Sequence, residues 1–206
     1  MYAIVTNNEI TKLITNPKSL VIGDVRYPAK IFSVWSASEL NAIGIYEVVT
    51  NSTNKKDEKW YINTNESYAF ADNQVTRSWG TATPKAHADT LWTAQDNTDG
   101  LIPDDKEVGD VKVEGLKTQL IRTLKQQVSN ELARTDWYIT RNTEKETAIP
   151  SAISTHRDAV RTKQAEMETK ITNASDTPAL ETLYTYTEQD DGSVTRPLGE
   201  LPTLEI

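Results

Sequence analysis

The sequence predicts an α+β protein: a small N-terminal antiparallel β-rich module, followed by a C-terminal helical hairpin or three-helix module. Three observations carry this prediction. Short apolar runs with alternating patterns, bounded by Asn, Asp and Gly, fill the first 85 or so residues. From Leu116 onward, leucines recur at helical spacing instead. Between the two lies a stretch dense in acids and turn formers, where the period changes.

The first strands are Ala3-Ile-Val-Thr6 and Glu9-Ile-Thr-Lys-Leu-Ile14, separated by Asn7-Asn8. Asparagine tolerates positive φ, so this pair suits a two-residue hairpin turn. Leu20-Val-Ile22 continues to Pro28 with turn punctuation at Gly23-Asp24. Ser36-Ala-Ser-Glu39 has capping-box spacing, which predicts a single short helix over residues 37–43. Gly44 then stands where a left-handed C-cap falls. A third β unit follows, with Lys59-Trp-Tyr-Ile62, Ser67–Ala71 and Gln74–Trp79 as strands and Asp72-Asn73 as a tight turn. Trp60 and Ile62 are expected to share one face of this meander.

Residues 88–115 are expected to form an irregular acidic linker, because Asp96-Asn-Thr-Asp-Gly100, Pro103-Asp-Asp105 and Gly109-Asp110 follow in close succession. The helical module is placed at 116–187. Leu116, Leu120, Leu124, Val128 and Leu132 recur every four residues, which makes an amphipathic helix of roughly four to five turns. A knuckle, Asp136-Trp137-Tyr138, and a polar connector lead to a second helix opened by Pro150. There Ile153, Val160 and Met167 stand seven apart, beside a companion row of Arg157, Gln164 and Ile171, as in a short helix–helix seam. Asp176 or Thr177 with Pro178 reads as a third helix start. The 188–206 segment reads as an extended polar tail that frays on its own. The module boundaries are therefore 1–87, 88–115, 116–187 and 188–206.

Composition narrows the function classes. Apolar residues make up 37% of 206, and the mean hydropathy is −0.57, which favours two small modules or an elongated oligomer over one large core. Five Trp and eight Tyr argue for order. Cysteine is absent, which rules out disulfides and thiolate metal sites. The net charge is −8, and neither half is basic, so nucleic acid is not an expected partner. The N-terminus lacks a basic region followed by an apolar run, and no apolar run approaches the roughly 18–20 residues needed to cross a bilayer. A soluble protein made in a cytoplasm is expected.

Motifs for chemistry are missing. An EF-hand loop aligned on Gly100 needs its closing acid at the position of Lys106. His87 and His156 stand alone, and Val160 occupies the position one turn after His156 where a zinc pair needs a ligand. There is no Gly-x-Ser-x-Gly elbow and no glycine pattern for nucleotide phosphates. Nothing sets the geometry of Glu144 and Glu146 as a glycosidase pair. No catalytic residue, cofactor or metal is assigned. Trp60, Tyr61, Tyr68 and Trp79 have two readings: the core of a small meander, or exposed rings that stack on sugars or on another protein.

The order of events from Leu132 to Tyr184 has more specificity. It runs through Leu-Ala-x-Thr-Asp-Trp-Tyr, a polar connector, Ile149-Pro150, a helix carrying His156-Arg157 and Val160-Arg161, and a closing Leu180-x-x-Leu183-Tyr184. This resembles the C-terminal module of bacteriophage tail-fibre accessory proteins, also described as tail assembly chaperones. The matching positions are Thr135, Asp136, Trp137, His156 and Arg157. The N-terminal hairpin and Ser36–Ile45 are more loosely similar to the front half of phage tail proteins. The resemblance implies a non-enzymatic virion component of the tail fibre or baseplate, made in the host cytoplasm. Its expected partners are tail-fibre or baseplate proteins, or further copies of itself, without nucleic acid or membrane. A transient assembly chaperone and a carbohydrate-binding host-recognition module are the alternatives.

The residues themselves suggest roles. Asp136 is short enough to cap a helix start by accepting backbone N–H bonds. Trp137 is expected to bury its ring between two helices. Arg157 and Arg161, one turn apart, are both placed to reach Asp136. The knuckle either closes a helical hairpin or forms a partner-binding hot spot. Asp136, Trp137, Tyr138, Arg157, Arg161, Trp60 and Trp79 are the partner-binding candidates.

Overall fold

The computed structural model describes residues 1–204; the last two positions of the expected tail lie outside the described residues. The architecture is α+β, with a β-rich N-terminal region built on a curled five-stranded sheet and helices towards the C-terminus. The chain divides into two compact units, Met1–Thr83 and Pro84–Ile206.

In the first unit, β1 (Tyr2–Thr6) and β2 (Glu9–Ile14) form the expected hairpin, and Asn7 and Asn8 both adopt positive φ. β3 (Leu20–Ile22) and β4 (Val25–Tyr27) pair separately across Gly23, whose φ is +58°. After the single turn α1 (Ile31–Val34) comes α2 (Ala37–Ala42). Its capping box is present: the Glu39 amide donates to the Ser36 hydroxyl, and the Ser36 amide donates to the Glu39 carboxylate. Gly44, at φ +81°, reverses the chain close to β1, and a Cβ there would stand 2.8 Å from the Val5 carbonyl oxygen. That approach allows the Val5 amide to donate to the Gly44 carbonyl at 2.8 Å.

The next strand, β5 (Ile45–Thr50), is absent from the sequence reading and proves central. β7 (Ser67–Ala71) and β8 (Gln74–Ser78) join it in a five-stranded sheet in the order β2-β1-β5-β8-β7, whereas β6 (Tyr61–Ile62) lies in a separate two-stranded sheet. The sheet departs from the all-antiparallel expectation at one pairing, because β5 and β8 run parallel with Val48 opposite Val75. Because β6 lies outside this sheet, the expected three-strand meander keeps only its β7–β8 hairpin, turned on Asp72-Asn73. The sheet curls until its edge strands β2 and β7 approach each other. Trp60 and Ile62 do not share a face: Trp60 is buried in a turn on Asp57, whereas Ile62 is half exposed. Ile31, Leu40 and Ile45 centre one core cluster, with Tyr2, Leu20, Ile22, Tyr27, Phe32 and Ile43 packed around them. Trp60, Tyr61, Val75 and Trp79 are also buried. Strand β9 (Thr83–Pro84) spans the junction between the units.

The second unit begins with what was expected to be an irregular link. Instead β10 (Thr90–Leu91) pairs with β11 (Val111–Val113), and α3 (Ala94–Thr98) carries a Thr93–Asp96 capping box. Asp89 ties this segment to α4 (Leu116–Ala133) by accepting from the Gly115 amide at 2.7 Å and the Thr118 hydroxyl at 2.8 Å. The Asp and Gly residues therefore mark caps and tight turns: the segment is exposed, as expected, but not irregular. Residues 136–145 are not a knuckle and connector either: they form the helix α5 (Asp136–Lys145). α6 (Ser151–Asn173) starts after Pro150, and α7 (Thr177–Tyr184) starts on Asp176, whose carboxylate accepts from the Ala179 amide.

Leu116, Leu120, Leu124 and Val128 of α4 are buried, as are Ile153, Val160, Met167 and Ile171 of α6. Lys117 reaches the Thr172 carbonyl at one end, and Arg157 reaches the Leu132 carbonyl at the other, so the two helices run antiparallel. The described part of the tail, residues 188–204, is tied down. β12 (Thr187–Glu188) pairs with β13 (Val194–Thr195), the Leu198 amide donates to the Leu183 carbonyl, and Leu198 is 1% exposed. A single buried leucine offsets the polar composition that suggested disorder.

Candidate functional site

The junction of α4, α5 and α6 collects most of the residues singled out from sequence. Helix α4 stops at Ala133, Arg134 is its C-cap, and Thr135 turns the chain into α5. Thr135 is 1% exposed, and its hydroxyl donates back to the Leu132 carbonyl at 3.0 Å. The same hydroxyl accepts from Arg157 Nη1 at 2.7 Å. That nitrogen also reaches the Leu132 carbonyl and Asp136 Oδ1, both at 2.8 Å. One buried guanidinium thus closes the carbonyl end of α4, holds the turn and fixes the first residue of α5. The Asp136 carboxylate, at the positive end of α5, faces a second positive charge there.

Neighbouring residues brace the same corner. His156 is buried, and its Nε2 lies 3.1 Å from Glu131 Oε1. Glu131 also receives Arg134 Nη1 at 2.9–3.0 Å. The His156-Arg157 pair therefore engages the last turn of α4 through two adjacent side chains from α6.

Three expectations about the junction are corrected. Asp136 does not cap α5 with backbone bonds; no side-chain cap is made at that helix start, and its carboxylate takes Arg157 instead. Arg161 does not reach Asp136, because it pairs with Asp158 one turn earlier on the exposed face of its own helix. Trp137 is not buried between helices but 51% exposed. The reason is periodicity. Once residues 136–145 are helical, the inward positions are Tyr138, Arg141 and Asn142, spaced by three and four, and Trp137 falls outside them.

The exposed indole is nevertheless ordered by its own helix. The Trp137 and Tyr138 ring centroids stand 3.7 Å apart at 32°. The Arg141 guanidinium lies 4.8 Å from the Trp137 centroid and 5.5 Å from that of Tyr138. Arg141 Nε is buried without a hydrogen-bond partner. Trp137 and half-exposed Ile139 are thus the apolar side chains that α5 turns to solvent, with the partly buried Tyr138 and Arg141 backing the indole. A cleft of about 120 Å³ beside it is lined by Ile139, Ile149, Ser154, Arg157, Asp158 and Arg161. Glu131 and Arg141 were not singled out from sequence. Arg141 had a usable signal, since Trp-x-x-x-Arg is a one-turn pair on any helix; the Glu131–His156 pair spans 25 residues and had none.

The two tryptophan candidates of the first unit are also corrected. Trp60 is 3% exposed and Trp79 is 7% exposed, so neither ring is available to stack on a sugar or a partner. Lys59 covers Trp60, while Lys55 and Arg77 lie over Trp79 with the Arg77 guanidinium 4.5 Å from its centroid. They are core residues roofed by long cationic stems.

Among the described residues no group of three or more His, Asp or Glu is positioned to hold a metal ion. Among them, too, no helix is long and apolar enough to cross a membrane. No protein-family model, curated protein or solved structure matches this chain.

Proposed function

We propose that the chain is a non-enzymatic bacteriophage tail protein that works through protein–protein contacts at the tail fibre or baseplate. The half-exposed Trp137 carries this reading. The polar residues of the Thr-Asp-Trp and His-Arg motifs are engaged with one another and with the end of α4, whereas the one large aromatic between them faces solvent. A buried guanidinium that fixes a helix start costs desolvation, and its benefit is a rigid presentation of what that helix exposes. Tryptophan, tyrosine and arginine are the residue types that dominate interface hot spots, and here they are adjacent on α5. The resemblance to tail-fibre accessory proteins supplies the class of partner.

The test is co-purification with tail-fibre and baseplate proteins, together with mass spectrometry of purified particles. The expected result is a stable complex that Trp137→Ala weakens by at least tenfold without lowering the melting temperature by more than a few degrees. Peptides from the chain in finished particles mark a structural component. A complex during assembly with none in particles marks a transient chaperone. No complex with any tail protein and no peptides in particles would overturn the proposal.

A further inference from the structure

The β unit carries a second, unrelated concavity at the edge of its sheet where two hairpin turns meet. Asn7-Asn8 joins β1 to β2, and Asp72-Asn73 joins β7 to β8; all four residues hold positive φ, between 50° and 64°. The register explains why they share an edge. Ile4 near the end of β1 stands opposite Ile45 at the start of β5, and β5 runs parallel to β8. With β2 and β7 drawn together by the curl, the two turns face each other across a cavity of about 490 Å³.

Its lining mixes amide, carboxylate and aromatic groups. Asn7, Asn8, Asp72 and Asn73 come from the turns, and Tyr46 and Phe70 form the floor with ring centroids 4.8 Å apart at 60°. The Tyr46 hydroxyl donates to Asn73 Oδ1 at 3.0 Å, which ties the second turn to β5. Among the described residues, the side chains of Asn7, Asn8 and Asp72 make no hydrogen bond. The site thus offers several uncommitted donors and acceptors, one negative charge and a ring face, on backbone that the turns hold rigid.

We propose that this mouth binds a saccharide end group. A pyranose has vicinal hydroxyls that both give and accept hydrogen bonds, which matches side-chain amides and a carboxylate rather than a cluster of one charge. It also has a C–H face that packs on an aromatic ring. A divalent cation fits less well, because the site has a single carboxylate. The mouth of a curled sheet, with a few convergent polar groups, is a usual place for a small ligand.

The experiment is saturation-transfer NMR on the full chain with the methyl glycosides of glucose, galactose, mannose and N-acetylglucosamine. At least one glycoside is expected to show transfer, with amide shift changes confined to residues 7–8, 46 and 70–73. Asn7→Gly with Asn8→Gly keeps the left-handed turn and removes both amides. Asp72→Asn keeps the other turn and removes the charge. Combined in one chain, these changes are expected to weaken binding at least tenfold while leaving the melting curve in place. The proposal is overturned by no transfer to any of the four glycosides, by shift changes elsewhere, or by binding that survives the combined variant. Shifts at these residues with calcium chloride alone, and none with a glycoside, also overturn it. These residues lie in the β unit and Trp137 lies in the helical unit, so either proposal can fail without the other.

Discussion

A single Arg157 nitrogen, with two N–H groups to share, lies within hydrogen-bond distance of the Leu132 carbonyl, the Thr135 hydroxyl and the Asp136 carboxylate. Replacing Arg157 by methionine keeps most of the stem but removes the charged donor, leaving the exposed Asp136 carboxylate to water and the Leu132 carbonyl to the Thr135 amide and hydroxyl. Arg157→Met is expected to lower stability by roughly 1.5–3 kcal/mol, the scale of a hydrogen bond to a charged group, since the 60% exposed Asp136 side chain can rehydrate. Denaturant unfolding followed by helical circular dichroism measures it. Trp137 behaves in the opposite way. A fully buried indole would cost roughly 3–5 kcal/mol on truncation, but half exposed on one helix it is expected to cost under about 1 kcal/mol. The contrast between Arg157→Met and Trp137→Ala in one unfolding series separates the residue that builds the corner from the residue the corner displays. Sequence spacing placed Arg157 to reach Asp136, as it does, but put the Trp137 ring between the helices, because spacing cannot say which side chain wins a shared interhelical slot.

At the scale of elements, the ends of helices decide more than their middles. Gly115 precedes α4, and a Cβ there would stand 2.3 Å from the Ala88 carbonyl carbon and oxygen, which are backbone atoms with little freedom to move. Gly115→Ala is therefore expected to destabilise the second unit by roughly 1–3 kcal/mol, seen as an earlier unfolding midpoint. The start of α3 is tied electrostatically. Lys112 first, then Thr93 through its hydroxyl and amide, holds the Asp96 carboxyl down to about 2. Since the group is more acidic folded than unfolded, its contribution is complete above pH of about 4. It is lost as pH falls towards about 2 and the carboxyl is protonated. A carboxyl carbon titration should place the Asp96 midpoint well below those of exposed aspartates; an ordinary midpoint would mean that the Lys112 contact does not persist in solution. The capping signals at Ser36, Thr93 and Asp176 are local, so a few residues suffice to specify them. Only Ser36 and Asp176 were recognised from sequence, because the acids around Thr93 read as a linker.

For the whole chain, two compact units replace the idea of two modules joined by a long solvated link. A fragment covering 84–206 is expected to keep helical circular dichroism and melt cooperatively, and a fragment that stays unfolded would show that unit boundaries drawn from contacts are not folding boundaries. Within that unit the C-terminal segment is structural. Leu198→Ala is expected to cost roughly 2–4 kcal/mol as a cavity in the packing around α7. A cost near zero in denaturant unfolding would return the segment to a frayed tail.

By itself the sequence determined what depends on neighbours along the chain. The positive-φ turns at Asn7-Asn8 and Asp72-Asn73, the α2 capping box, the apolar row of α4 and the heptads of α6 are all set within a few residues. Tertiary structure alone decided what depends on pairing over distance. It made β5 the central strand and paired it parallel to β8, sent Trp60 and Trp79 into the core, and gave the slot between α4 and α6 to Arg157 rather than Trp137. Those outcomes follow from competition for one buried volume and for unpaired backbone groups, and that competition exists only once the chain has brought its distant parts together.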